Sequence, residues 1–201
     1  MKTLVIATRN KGKIAEIARL LRFDSSIQVR SVADFDVEDI EETGSTFEEN
    51  ALLKALTVAR ATGFAALADD SGLEVDALGG APGIYSARYS GVHGDDHANN
   101  EKLLSELAGV EPARRSARFV AVIAVARPDG SKIMARGELE GTIANSAEGS
   151  NGFGYDPVFL PLGSAKTLGD FEPGRKDEIS HRAKALGEIA PRIPTFLSGN
   201  E

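Results

Sequence analysis

The sequence predicts an α/β protein built on a mixed sheet, and three stretches carry that expectation. Leu4-Val5-Ile6-Ala7 is a short apolar run, followed by polar Thr8-Arg9-Asn10-Lys11-Gly12-Lys13 and then by Ile14, Ile17, Ala18 and Leu21 at helical spacing. Strand, polar loop and helix in that order open an α/β unit. Ala65-Ala66-Leu67-Ala68 reads as a further buried strand, ending at Asp69-Asp70-Ser71-Gly72. Arg118 to Ala126 and Lys132 to Leu139 flank Pro128-Asp129-Gly130, a hairpin signal that brings antiparallel pairing into the sheet.

The other elements follow in order. Ile27 and Val29 alternate with polar residues and suggest a second strand. An acidic connector runs from Asp34 to Gly44, and a helix then starts at Ser45 or Thr46, because Thr46 and Glu49 have capping-box spacing. That helix should carry Ala51, Ala55 and Ala59 and stop near Gly63. Leu73, Val75 and Ala77 alternate after the strand end, and Gly79-Gly80-Ala81-Pro82-Gly83 is a rigid loop by composition. A helix is expected from about Asp96 to Leu107, ended by Gly109, and a last one after Ser180 with Ala183, Leu186 and Ile189. No repeat, low-complexity tract or linker interrupts the chain, so residues 1–201 are expected to form a single domain.

Composition excludes several classes of function. Without cysteine there are no disulfides or thiolate metal sites, and His93, His97 and His181 do not pair at a zinc-ligand spacing. Any metal should be a hard cation held by carboxylates. A net charge of −7 argues against nucleic acid as a partner. No apolar run approaches the ~18–20 residues that span a bilayer, and Met1-Lys2-Thr3 leads into a strand without a signal-peptide pattern. The cytoplasm, with no membrane partner, is the expected location.

Several segments have residue types suited to chemistry. Arg9, Lys11 and Lys13 crowd a helix N-terminus, where a partial positive charge disfavours cations unless an anion is near. A bound phosphate resolves the conflict; a solvated basic turn is the plainer alternative. It is not a Walker A loop, since Ala7 stands where the first Gly belongs and Ile14 follows Gly12-Lys13. Ser180 with His181 and Arg182, just beyond Lys176, repeats the pattern, or is simply a capped surface helix.

Asp69 and Asp70 point to opposite faces of a strand, so one of them, with Glu41 from the acidic connector, would hold Mg²⁺. The alternative is an Asx-type turn. Lys54, one turn beyond Asn50, is either snorkelling to solvent or a phosphate ligand in a cleft. Three glycines surround Phe153 in Gly149-Ser150-Asn151-Gly152-Phe153-Gly154-Tyr155-Asp156-Pro157, which either offers the ring to a flat purine or tucks it into the core.

Taken together these segments resemble the inosine triphosphate pyrophosphatase family, also called Ham1-like. The resemblance rests on Thr8 to Lys13, on Glu41-Glu42-Thr43-Gly44 with Thr46 to Ala51 and Lys54, and on Ala68 to Leu73. Gly80 to Arg88, Gly152 to Pro157 and Ser180-His181-Arg182 continue it in order along nearly the whole chain. Two departures are Arg9 and Asn151, where family members often have Gly.

The resemblance implies an elongated mixed α/β fold with two lobes and a central cleft, usually a homodimer. It implies Mg²⁺-dependent hydrolysis of non-canonical purine nucleoside triphosphates (dITP, ITP, XTP) to the monophosphate and pyrophosphate. By the same resemblance Thr8, Arg9, Asn10, Lys11, Gly12 and Lys13 bind the triphosphate, with Lys54 helping. Glu41 and Asp70 hold the metal, and Asp70 accepts a proton from water. Ser71 touches the substrate, and Phe153 stacks on the purine with Gly154, Tyr155 and Asp156 completing that wall. Lys176, His181 and Arg182 read the base edge. Two other functions are compatible with these residues: a phosphohydrolase releasing orthophosphate, and a nucleotide-sensing module without catalysis.

Overall fold

The apolar stretch at the N-terminus forms strand β1 (Lys2–Ile6), whose Leu4 and Val5 are fully buried. A continuous apolar run of this kind suits a parallel strand covered on both faces. In the computed structural model, which describes residues 1–199, a six-stranded sheet is completed by β2 (Ile27–Ser31), β3 (Ala65–Val75), β4 (Ser116–Ala126), β5 (Lys132–Ile143) and β6 (Phe159–Pro161). The strand order is β2-β1-β3-β4-β5-β6. β1 pairs in parallel with both β2 and β3, and β5 pairs antiparallel with β6, so the sheet is mixed as expected. Between β4 and β5 the turn is closed by Arg127 N–H on Ser131 O and Gly130 N–H on Arg127 O, at the Pro128-Asp129-Gly130 signal.

The helices are α1 (Lys11–Leu20), α2 (Phe47–Thr62), α3 (Asp96–Glu106), α4 (Pro173–Ile179), α5 (His181–Ile189) and α6 (Ile193–Phe196). Asn10 caps α1 by accepting from Lys13 N–H, and Thr46 caps α2 by accepting from Glu49 N–H. The reciprocal half of the α2 box differs from the expected one, because Glu49 Oε2 takes the N–H of Ser45 at 2.7 Å. Gly63 ends α2 at φ 73°, a left-handed conformation that residues with a side chain disfavour.

The described residues form two compact units. Unit 1 comprises Met1–Asp70, Ala121–Gly137 and the stretch from Arg182; unit 2 comprises Ser71–Val120 and Glu138–His181. The core of unit 1 joins Leu4 and Ile6 of β1, Ile17 of α1, Ala65 and Leu67 of β3, and Leu186 and Ile189 of α5. The core of unit 2 joins Leu73 and Val75 of β3, Leu103 and Leu107, Phe119, and Phe159 of β6.

One boundary differs from the sequence expectation. β3 does not end at Asp69-Asp70 but runs eleven residues, through both acids, to Val75. Both carboxylates are tolerated mid-strand because each meets a cation from a helix (Asp69 that of Lys13, Asp70 that of Lys54).

Candidate functional site

Strand alternation assigns the two adjacent acids of β3 to different surroundings. Asp69 continues the row of Ala65 and Leu67, which belong to the core formed with α1 and α5. Its Oδ1 meets Lys13 Nζ at 2.6 Å and its Oδ2 meets Arg182 Nε at 2.9 Å. Glu16, one turn beyond Lys13 on α1, pairs with the same guanidinium. Burial works against the Asp69 charge, yet Arg182 and then Lys13 hold its carboxyl well below the usual carboxylate range. These four groups of unit 1 form a buried, internally neutralised chain.

Asp70 lies on the opposite row, towards α2. Lys54, buried in mid-helix, places Nζ 2.6 Å from Asp70 Oδ1 and 2.7 Å from Glu42 Oε1. Lys54 is therefore turned inward and is not snorkelling to solvent. Burial pushes the Asp70 carboxyl up to about 6; Lys54 and Lys13 oppose the shift, and the nearby charge of Glu42 adds to it. Although burial disfavours the Lys54 cation, Asp70 and then Glu42 hold its pKa above the ordinary value.

The connector that brings in Glu42 is fastened to α2, where Asn50 Oδ1 accepts the N–H of Gly44 at 2.8 Å. A Cβ on Gly44 would lie 2.7 Å from that oxygen, so glycine is required there for close approach. Glu41, the expected metal ligand, is exposed and has no ion pair among the described residues. Glu42, which the sequence reading passed over, is the connector acid placed beside Asp70.

In the Thr8 to Lys13 segment, Thr8, Arg9, Asn10 and Lys13 have partners within the protein. Arg9 pairs with Asp39 and donates to Val37 O at 2.6 Å. Thr8 Oγ1 accepts the N–H of Asn10, Asn10 Oδ1 accepts that of Lys13 in the first turn of α1, and Gly12 lies inside α1. Lys13 already has Asp69 as an internal counter-charge, while Lys11 is exposed. Ser71 is half-buried on β3, next to Asp70.

In unit 2 the loop around Phe153 comes together with Lys176 as expected. Asp156, almost fully buried, accepts from Phe153 N–H at 2.9 Å and pairs with Lys176 Nζ. That ammonium also stands 4.6 Å from the centre of the Phe153 ring, a cation–π contact. Phe153 is half-buried, not part of the core. Tyr155 is the exception in this group: it is 4% exposed within the core of unit 2, and its hydroxyl donates to Ser86 O at 2.9 Å. Tyr155 shares that core with Leu73 and Phe119, which are distant in sequence.

His181 stacks on Phe119 with 4.8 Å between centroids and 8° between planes. Arg182, expected beside it at a base edge, is 1% exposed with its guanidinium held by the two carboxylates of unit 1. The sequence reading also missed Asp96 and Asn100, one turn apart on α3. They take the N–H and the carbonyl of Gly154, at 2.7 Å and 2.9 Å. Nothing local in the sequence signals that pair, since their target is more than fifty residues away.

The donors near Asp70 are compatible with a hard cation. Asp70 and Glu42 converge on one ammonium, and Mg²⁺ is held by one or two carboxylates completed with waters and phosphate oxygens. Among the described residues no group of three or more His, Asp or Glu forms an all-protein cage. No helix among them is long and apolar enough to cross a membrane.

Comparison with known proteins gives a consistent result. The model of the Ham1 family matches residues 4–192. A dITP/XTP pyrophosphatase of Streptomyces avermitilis is 49% identical over 200 residues, covering 98% of this chain and 100% of the relative. One from Listeria innocua is 50% identical over 190 residues, covering 94% and 93%. The solved structure of a HAM1 protein from Coxiella burnetii superposes with a TM-score of 0.89 at 42% identity, covering 97% of this chain and 100% of that one.

Proposed function

This chain belongs to the Ham1 family, and we propose on that footing that it is a hydrolase of phosphoric anhydrides in non-canonical purine nucleotides. Its substrates on this reading are dITP, ITP and XTP. Its products are the nucleoside monophosphate and pyrophosphate, so deaminated purines are removed before they enter DNA or RNA. The observation that carries the reading is geometric: buried Asp70 is fixed 2.6 Å from the Lys54 ammonium, which also meets Glu42 at 2.7 Å. A carboxylate held in place in this way is well suited to take a proton from an attacking water.

Asp70 accepts that proton while the water attacks the α-phosphorus and pyrophosphate leaves. Lys54, with Lys13 on α1, offsets the negative charge that develops on the leaving group. Mg²⁺, when bound by Asp70 with Glu41 or Glu42, supplies charge neutralisation and polarises the phosphoryl oxygens. Thr8, Asn10, Lys11 and Gly12 lie with Lys13 at the start of α1 and contact the polyphosphate; Arg9 positions the acidic connector through Asp39. Phe153 stacks on the purine, and Lys176 and His181 supply donors for its 6-oxo group. A 6-amino group would oppose those donors, so adenine is rejected. Arg182 acts through Asp69, which it helps to hold. The enzyme works as a homodimer in the cytoplasm.

The test is incubation of purified protein with dITP, XTP, dGTP and dATP, with and without Mg²⁺, followed by product identification. Pyrophosphate and monophosphate from dITP and XTP, requiring Mg²⁺, are expected. Release of orthophosphate with a diphosphate, or equal turnover of dATP, would overturn the assignment.

A further inference from the structure

Gly154, which follows the Phe153 ring, is held at both of its backbone polar groups by one helix. Asp96 Oδ2 accepts its N–H at 2.7 Å, and Asn100 Nδ2 donates to its carbonyl at 2.9 Å. The two residues are four apart on α3, so their side chains lie one above the other on a single face. Gly154 is at φ 62°, a conformation open to glycine and poorly populated by other residues. On the other side of the ring Phe153 N–H is taken by Asp156. The peptides flanking the aromatic are therefore fixed by side chains, although the loop has little regular structure of its own.

Asn100 is 8% exposed, and among the described residues its Oδ1 is buried without a hydrogen-bond partner. The amide's one hydrogen bond within the described residues is therefore the one its Nδ2 donates to Gly154. Its orientation is thus set by the Gly154 carbonyl.

We propose that Asp96 and Asn100 are positioning residues for substrate affinity: the pair clamps the Gly154 peptide and so keeps the Phe153 ring in its base-stacking pose. This rests on the reading of Phe153 as the purine platform. Without the clamp the loop visits other conformations, and the apparent affinity falls in proportion to the competent fraction. The chemistry at Asp70 is unaffected, so the effect falls on KM and spares kcat.

The experiment measures KM and kcat for dITP, inhibition by inorganic tripolyphosphate, and thermal melting in Asn100→Leu, Asp96→Ala, Asp96→Asn and Phe153→Ala. Asn100→Leu and Asp96→Ala are expected to raise KM about tenfold, as when the competent fraction falls to about one tenth. Their kcat and tripolyphosphate inhibition should match the parent protein, because tripolyphosphate has no base to stack. Asp96→Asn keeps an acceptor and should restore most of the affinity lost in Asp96→Ala. Asn100→Leu removes the donor to the Gly154 carbonyl and should melt slightly below the parent protein while remaining folded; if it does not fold, Asp96→Ala carries the test alone.

A parent-like KM in folded Asn100→Leu and Asp96→Ala, beside a raised KM in Phe153→Ala, would overturn the clamp and leave the platform standing. An unchanged KM in Phe153→Ala would instead remove the platform itself. Loss of tripolyphosphate inhibition in step with KM would show general damage and also overturn the clamp.

Discussion

In unit 1 the charged side chains sit on three helices, a strand and the acidic connector and are held by charge: Lys13, Asp69, Arg182 and Glu16 in one buried chain, Lys54, Asp70 and Glu42 in another. In unit 2 the aromatic ring sits on a loop whose Gly149, Gly152 and Gly154 all have positive φ, held by hydrogen bonds to its backbone. The first arrangement keeps paired charges oriented on rigid elements, each cation already facing a carboxylate. The second suits a flat and nearly neutral base, where the angle of one ring matters more than local charge. The two regions should therefore fail differently: unit 1 through uncompensated charge, unit 2 through loosened geometry.

The largest effect is expected at Asp70. Asp70→Asn should lower kcat by about 10²–10⁴, the usual worth of a general base. Stability should respond in the opposite sense. Because the folded-state pKa is raised from 3.8 to about 6, the folded protein holds this proton more tightly than the unfolded chain. Asp70 therefore withdraws stability as pH rises from about 4 to above 6, and at pH 8 its full cost is present. Asp70→Asn should melt at or above the parent temperature at pH 8, and the advantage should disappear near pH 4. A variant that is inactive because it has unfolded would remove the comparison.

Asp69, its strand neighbour, should give the reverse pattern. Asp69→Asn leaves Arg182 and Lys13 short of a buried counter-charge, with an expected loss of about 3–5 kcal/mol in denaturant unfolding at pH 7. The folded-state pKa of Asp69 lies far below the ordinary 3.8, so the stability it contributes is complete above 3.8 and is lost as pH falls. The gap between the parent protein and Asp69→Asn should narrow as pH drops below about 3.8. A pH-independent gap would mean that packing, not charge, is what Asp69 contributes.

In unit 2 the expected losses are smaller and fall on affinity. Phe153→Ala should weaken substrate binding by about 1–3 kcal/mol, the range for a base stacked on an aromatic side chain. Its kcat should change little. KM values for dITP and XTP check this, and a drop in melting temperature without a change in KM would place the ring in the core.

The difference between the regions also explains what the sequence disclosed. Helices α1 and α2 were legible because their determinants are local: Ile14, Ile17 and Leu21 at helical spacing, Thr46 with Glu49, and Gly63 at the stop. Asp70 and Lys54 stood out because charges beside apolar stripes are conspicuous. The continuation of β3 through Asp69 was not legible, since the Arg182 that makes it tolerable is 113 residues away. The burial of Tyr155 was not legible for the same reason: the core that buries it comes from distant strands. Asp96 and Asn100 gave no local signal at all, because a helix face that binds a remote backbone has the same residue pattern as a solvated one.

The smallest expected effect separates backbone strain from contact in the Phe153 loop. Gly152 and Gly154 have φ 77° and 62°, and alanine at either position incurs about 1–2 kcal/mol of left-handed strain. They differ in what a new Cβ would meet. At Gly154 nothing lies within 4 Å, whereas at Gly152 Asp156 Oδ2 would be 2.0 Å away. That oxygen takes both Phe153 N–H and Lys176 Nζ, so Gly152→Ala must displace the group that ties ring and lysine together. Gly154→Ala should therefore lower the melting temperature by about 2–8 °C, the shift that ~1–2 kcal/mol gives in a chain of this size, with a modest rise in KM. Gly152→Ala should add to that a further rise in KM as the cation–π contact is lost. Equal KM values in the two variants would show that Asp156 moves without consequence, and that the ring is held by Asp96 and Asn100 alone.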